Sequence, residues 1–252
     1  MSTNLSDVQS VLIDRPRYGV DAPGFPAVTG AAGVACCLAA ARWRPGRTGT
    51  AALGTALLAS TGVYLHTTLR GKLRLWDREL DRLGLTGDEH LLDLGCGRGA
   101  VLVAAATRLP AGRAHGADLW SGTDQSGNHR GATLANAAAA GVADRVEVHT
   151  ADMTALPFAD ASFDVVTSAL AIHNIPSAEG RRRAVTEAMR VLRPGGQLLV
   201  ADFWWMARRY AAQLGQGTLR PLGAGYWYGG PWFAVSLLHV VKEHGPAGEQ
   251  PC

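Results

Sequence analysis

Between Leu75 and Val241 short apolar runs alternate with stretches of helical period, the pattern of a parallel sheet covered by helices. Strands are predicted at His90–Leu94, Ala114–Asp118, Val146–His149, Phe163–Ser168 and Gln197–Asp202, with a late strand in "FAVSLLHVV". The clearest helix is "SAEGRRRAVTEAMRVL": Ala184, Val185, Ala188, Met189 and Leu192 recur on one face, and "RPGG" ends it. Before Leu75 the pattern changes. The runs Phe25 to Ala41 and Ala51 to Leu65 carry no charge, and Arg42, Arg44 and Arg47 cluster between them, so two apolar helices joined as a hairpin are expected.

Each run falls short of the ~20 residues usual for a spanning helix and is rich in alanine rather than leucine. Small residues at Ala31, Ala35 and Ala39 and at Ala51, Thr55 and Ala59 suit close helix contact in lipid, and Trp43 and Tyr64 stand near the run ends where interfacial aromatics belong. The expectation is membrane association through this hairpin with the catalytic part cytoplasmic; the alternative is a buried helix pair in a soluble cytoplasmic chain. The run begins late and lacks a basic start, unlike a cleaved signal peptide. The division expected is a polar segment 1–24, the hairpin 25–74, a catalytic domain 75–242 and a flexible tail 243–252.

Composition narrows the classes. With 252 residues, 47% hydrophobic and 18% charged, the chain can bury a full core, and a net charge of +3 with no basic face argues against nucleic acid. Cys36, Cys37, Cys96 and Cys252 show neither C-x-x-C spacing nor histidine partners, so no metal site and no disulfide framework is expected.

The candidate chemistry lies in "HLLDLGCGRGA". Gly95, Gly97 and Ala100 satisfy the G-x-G-x-x-G/A pattern of a dinucleotide loop behind a strand. Asp93 argues otherwise, because a carboxylate at the strand end would repel a pyrophosphate but suits a cofactor bearing an ammonium and a sulfonium. Asp118, in "GADLW", stands where a carboxylate accepts from ribose hydroxyls in either cofactor type. Asp152 and Met153 follow the third strand, where an adenine could be held.

Taken in order, "LLDLGCGRG", "ADLW", "ADMTALPFADASFDVVTSALAIHNI" and "RVLRPGGQLLVADF" resemble the successive signatures of class I S-adenosylmethionine-dependent methyltransferases, over roughly Leu75 to Val241. "LPFADASFDVV" resembles the branch with quinone-biosynthesis C-methyltransferases and other small-molecule enzymes, while the apolar hairpin resembles membrane-attached bacterial relatives. The resemblance implies a Rossmann-like seven-stranded, mostly parallel α/β sheet of order 3-2-1-4-5-7-6, with S-adenosylmethionine as cofactor. It implies that Asp93, Gly95, Gly97 and Gly99, with Cys96 as a small filler, surround the methionine part. Asp118 and Leu119 would meet the ribose, Asp152 and Met153 the adenine, and Ser168 and Leu170 the methyl group.

Beyond the fourth strand, His173 reads either as a general base or as a wall residue, with Asn174 beside it. Among the late aromatics, Trp204, Trp205, Tyr226 and Trp227 are the expected walls for a small lipophilic or aromatic acceptor. "DQSGNHRGAT" is a polar loop that closes over the cofactor or caps the next helix through Ser126. The expected activity is in-line methyl transfer, in a chain that can form homo-oligomers. The alternatives are a membrane-anchored, non-catalytic cofactor-binding partner and a nicotinamide-dependent oxidoreductase.

Overall fold

The computed structural model describes residues 18–42 and 46–244. The apolar runs form α1 (Gly24–Arg42) and α2 (Arg47–His66). One π turn, Thr67–Gly71, joins α2 directly to α3 (Lys72–Arg82), so a continuous helical path crosses the composition change at Leu75. There follow β1 (His90–Leu94), α4 (Ala100–Ala106), β2 (Arg113–Asp118), α5 (Arg130–Ala139), β3 (Val146–Thr150) and β4 (Phe163–Ala169). The chain ends with α6 (Ala178–Val191), β5 (Leu192–Phe203), α7 (Trp204–Leu214), β6 (Thr218–Pro221) and β7 (Val235–Val241).

The seven strands form one sheet of order β3-β2-β1-β4-β5-β7-β6, parallel except where β7 pairs antiparallel with β5 and β6. Central strands are buried on both faces, as parallel strands must be. One face sets Leu91, Val165 and Leu199 against Trp76 and Leu80 of α3 and Leu102 of α4. The other sets Leu92, Val166 and Leu198 against Ala184, Val185 and Ala188 of α6 and Met206 of α7.

The five early strands fall where the apolar runs place them. "RPGG" lies inside β5 rather than before it, as a bulge: Phe163 faces Leu192 but Val165 already faces Gln197. The stretch after Trp204, irregular in sequence, forms α7 and the exposed edge strand β6; the latter is four residues long, too short for its alternation to show.

The hairpin packs on residues other than the predicted stripe. Ala31, Ala35, Ala39, Thr55 and Ala59 are exposed, whereas Gly33 and Gly54 are buried at the seam. A Cβ on Gly54 would come within 2.7 Å of Cys37 Sγ, and Thr29 and Thr61 hydroxyls meet at 2.9 Å. A strict spacing of four drifts around a helix of 3.6 residues per turn, while the steps Pro26, Gly33 and Ala40 stay on one side. Tyr64 is buried rather than interfacial, its hydroxyl donating to the Asp21 carbonyl at 2.8 Å. Trp43 and the tail from 245 lie outside the described residues.

Candidate active site

At the carboxyl ends of β1, β2 and β4 a cavity of about 330 Å³ opens, where the strand order reverses between β1 and β4. The loop after β1 lines it with Asp93, Gly95, Cys96 and Gly97. Gly95 has φ of 69°, and a Cβ there would meet Ala171 Cβ at 2.1 Å. Gly97 has φ of 52°, and its Cβ would press within 2.5 Å of Gln125 Oε1. No other residue type fits either position without displacing the loop.

Asp93 is buried, with Thr167 Oγ1 donating to its Oδ1 at 2.9 Å. Burial pushes its carboxyl up to about 7, the nearby Asp118 charge adds to the rise, and the Thr167 bond partly opposes it. Burial likewise pushes the Cys96 thiol up, so it remains protonated, a small filler rather than a nucleophile.

Asp118 ends β2. Its Oδ2 accepts from Gly97 N at 2.8 Å, and its Oδ1 accepts from Trp120 N at 2.5 Å and Asn128 Nδ2 at 3.2 Å. Trp120 takes φ of 62° to make this contact, strain for a bulky side chain. Leu170, also at the cavity, has φ of 54°. Asn128 Oδ1 is buried beside the cavity and lacks a hydrogen-bond partner, a deficit that a ligand hydroxyl would satisfy.

Leu119, Asp152, Met153, Leu170 and Asn174 line the same cavity. Ser168 and Gly99 do not: Ser168 donates to Leu94 O at 3.1 Å within the sheet, and Gly99 caps α4. His173 also stands outside the lining. Its ring packs on Phe203, and Nδ1 lies 2.9 Å from Oδ1 of the fully buried Asp202, whose Oδ2 accepts from Tyr210. Of the four expected aromatic walls only Tyr226 faces the cavity. Trp205 stacks on Phe203, Trp204 is 41% exposed, and Trp227 is turned to a backbone bridge with Ala234.

Beside Tyr226, the cavity is built by residues outside the quoted motifs. Trp76, Tyr226, Tyr228, Lys72 and Asp21 line it. Asp21 is the hub: its Oδ1 accepts from Lys72 Nζ (2.7 Å) and Gln125 Nε2 (3.0 Å), and its Oδ2 from the Tyr228 hydroxyl (2.8 Å). Thr68 Oγ1 accepts from Asp21 N at 2.9 Å. Tyr18–Asp21 thus straps the 121–127 loop: Val20 N donates to Ser126 Oγ, and Asp21 bridges Gln125, whose Oε1 accepts from Arg98 N. Ser126 is therefore occupied by the strap, and His129 caps α5 through Nδ1. The polar patch around Tyr18 and Asp21 marks a segment able to fold back, and no periodicity tells where it docks.

Residues 92–200 match the family model described as a methyltransferase domain. The chain is 34% identical over 152 residues to the 27-O-demethylrifamycin SV methyltransferase of Amycolatopsis mediterranei, covering 60% of this chain and 52% of that protein. It is 37% identical over 131 residues to the ubiquinone/menaquinone biosynthesis C-methyltransferase of Roseobacter denitrificans, covering 52% and 49%. The chain thus spans about half the length of these curated relatives. Among solved structures, an S-adenosylmethionine-dependent methyltransferase from Aquifex aeolicus superposes with a TM-score of 0.53 at 16% identity, over 68% of this chain and 92% of that one. The [4+2]-cyclase SpnF superposes with 0.52 at 20% identity, over 67% and 82%. Both structural likenesses speak to the fold.

Proposed function

We propose that this chain, whose residues 92–200 belong to the class I S-adenosylmethionine-dependent methyltransferase family, transfers a methyl group to a small lipophilic acceptor at the aromatic end of the cavity. One observation carries the reading: a single cavity is lined both by the carboxylates of Asp93, Asp118 and Asp152 and by the aromatic rings of Trp76, Tyr226 and Tyr228. The residues fit an adenosyl amino acid. Asp93 suits an ammonium, Asp118 and the unpartnered Asn128 Oδ1 suit ribose hydroxyls, and Asp152 beside Met153 suits an adenine. Bound there, S-adenosylmethionine would supply an electrophilic sulfonium methyl.

The chain's own contribution is alignment and exclusion of water, worth up to ~7–11 kcal/mol when the reacting atoms are held in line. The positive-φ residue Leu170 and the close Gly95–Ala171 approach shape the cavity wall. Asn174 is on that wall, and His173, packed on Phe203 beside Asp202, acts as a positioning residue behind it or as a base for an acceptor that still carries its proton. Lys72 and the Tyr228 hydroxyl pin Asp21 and close the side of the cavity toward the hairpin.

The lipophilic acceptor is supported by the apolar surface of the hairpin. Of thirteen exposed large apolar side chains among the described residues, eight lie between Phe25 and Leu69. The α1 helix meets the length and hydropathy of a membrane span with 17% of it buried. A hairpin seated in a membrane surface, with the catalytic part on the cytoplasmic side, would feed an apolar acceptor to the site. The relatives that act on a rifamycin and on quinone precursors point to acceptors of this size and polarity.

The test is calorimetric titration with S-adenosylmethionine, S-adenosylhomocysteine and NADH, then transfer of labelled methyl to quinol, phenol and sterol probes in detergent. Binding of the first two, with label entering an extractable product, is expected. Binding of NADH alone, or label accepted only by water-soluble probes, overturns the proposal.

A further inference from the structure

On β3, Val146 and Val148 are buried in the core, so Glu147 and His149 project from the opposite face of the sheet. His115 of β2 is in register with Glu147 and shares that face. Between β3 and β4 the chain forms turns and no helix, and Phe158 and Phe163 lie against this face, their edges meeting the His115 ring at 6.3 and 5.3 Å between centroids. His90 stacks on the same ring.

Three donor atoms converge. His115 Nδ1 lies 3.3 Å from His149 Nε2 and 3.8 Å from Glu147 Oε2, and all three fit within 4.8 Å of one another. Two nitrogens bound tetrahedrally at about 2.0–2.1 Å stand about 3.3 Å apart, so the histidine pair already spans one edge of such a site. The other Glu147 oxygen is held by Arg113 Nη1 at 3.3 Å, which turns Oε2 toward the histidines. The donors sit on paired strands and are packed by aromatic rings, so little order is lost on binding. Spacing rules miss the group because its histidines are 34 residues apart.

We propose that His115, Glu147 and His149 bind one divalent transition ion of the zinc type, with the fourth position open to water. The ion ties the edge strand β3 to β2, away from the methyl-transfer cavity, and the proposal stands whether or not the chain is a methyltransferase.

The experiment uses the tag-free chain with reduced thiols, stripped by chelator and titrated calorimetrically with Zn²⁺ and, by visible absorption, with Co²⁺. One ion per chain and ligand-field bands typical of nitrogen and oxygen donors are expected. H149A and H115A should lose more than the tenfold to hundredfold that removal of an outer-shell partner costs. The mild variant E147Q guards against misfolding, with circular dichroism unchanged and affinity reduced. The proposal is overturned by absence of binding, by equal affinity in H149A and E147Q, or by thiolate charge-transfer bands that place the ion on Cys36 and Cys37.

Discussion

Asp93 offers a test in which pH does the work. Its folded-state carboxyl is raised by burial from 3.8 to about 7, against the hydrogen bond from Thr167. If the ionised form is the one that receives the cofactor's ammonium, affinity follows the ionised fraction. That fraction is about one-eleventh at pH 6 and about three-quarters at pH 7.5, so S-adenosylhomocysteine should bind roughly eightfold tighter at the higher pH. The ligand's ammonium stays predominantly charged over this range. Stability of the free protein runs the other way. Between the unfolded value and about 7 the folded state holds a proton that the unfolded state has released, so stability falls as pH rises through that window, by up to about 4 kcal/mol in total. In D93N, which keeps an acceptor for Thr167, binding should be weak and flat with pH. Its melting temperature at pH 8 should exceed that of the parent. Calorimetry at four pH values and thermal melting without ligand measure both slopes. An affinity independent of pH in the parent, or the same slope in D93N, refutes the assignment of the buried charge to Asp93.

Gly95→Ala should abolish S-adenosylhomocysteine binding, because its Cβ would meet Ala171 Cβ at 2.1 Å and φ is 69°; retained calorimetric binding would show that the loop yields. Lys72→Met removes a 2.7 Å ion pair whose side chains are 7% and 21% exposed. Chemical denaturation should register a loss of roughly 2–3 kcal/mol, below a fully buried pair because Asp21 reaches solvent. His173→Gln separates base from positioning residue: a positioning role predicts an altered KM with a pH profile unchanged in shape, and a base predicts loss of kcat at intact cofactor affinity. Replacing the exposed Val28, Leu38 and Leu53 together by aspartate should release the chain from uncharged vesicles in flotation assays, and undiminished flotation would remove the hairpin from the membrane reading.

What could be read from the chain follows the range over which each signal acts. Strands β1, β4 and β5 were legible because central parallel strands buried on both faces are apolar runs, β3 because Val146 and Val148 alternate with polar residues, and the glycine loop because its φ values demand glycine at fixed spacing. The wall beside Asp21 was legible only through Tyr226 among the late aromatics. Asp21, Lys72 and Tyr228 meet across most of the sequence, and none sits in a periodic or motif context that marks it. Trp204 and Trp205 misled for a related reason: following β5 put them near the site in order, but α7 begins at Trp204 and carries one to solvent and the other onto Phe203. The helix seam was misread because small residues are abundant in α1 and α2, and only the 3.6 period tells which of them meet.

The bond between Tyr228 and Asp21 spans 207 residues, and that between Ser60 and Gly229 spans 169. During synthesis the strap and hairpin leave the ribosome long before the segment that completes the wall against them. The sheet through β5 can form while that wall is still open. Emergence of the hairpin therefore precedes closure of the pocket in time, and a chain halted before Tyr228 would carry the whole glycine loop yet have no finished chamber beside it.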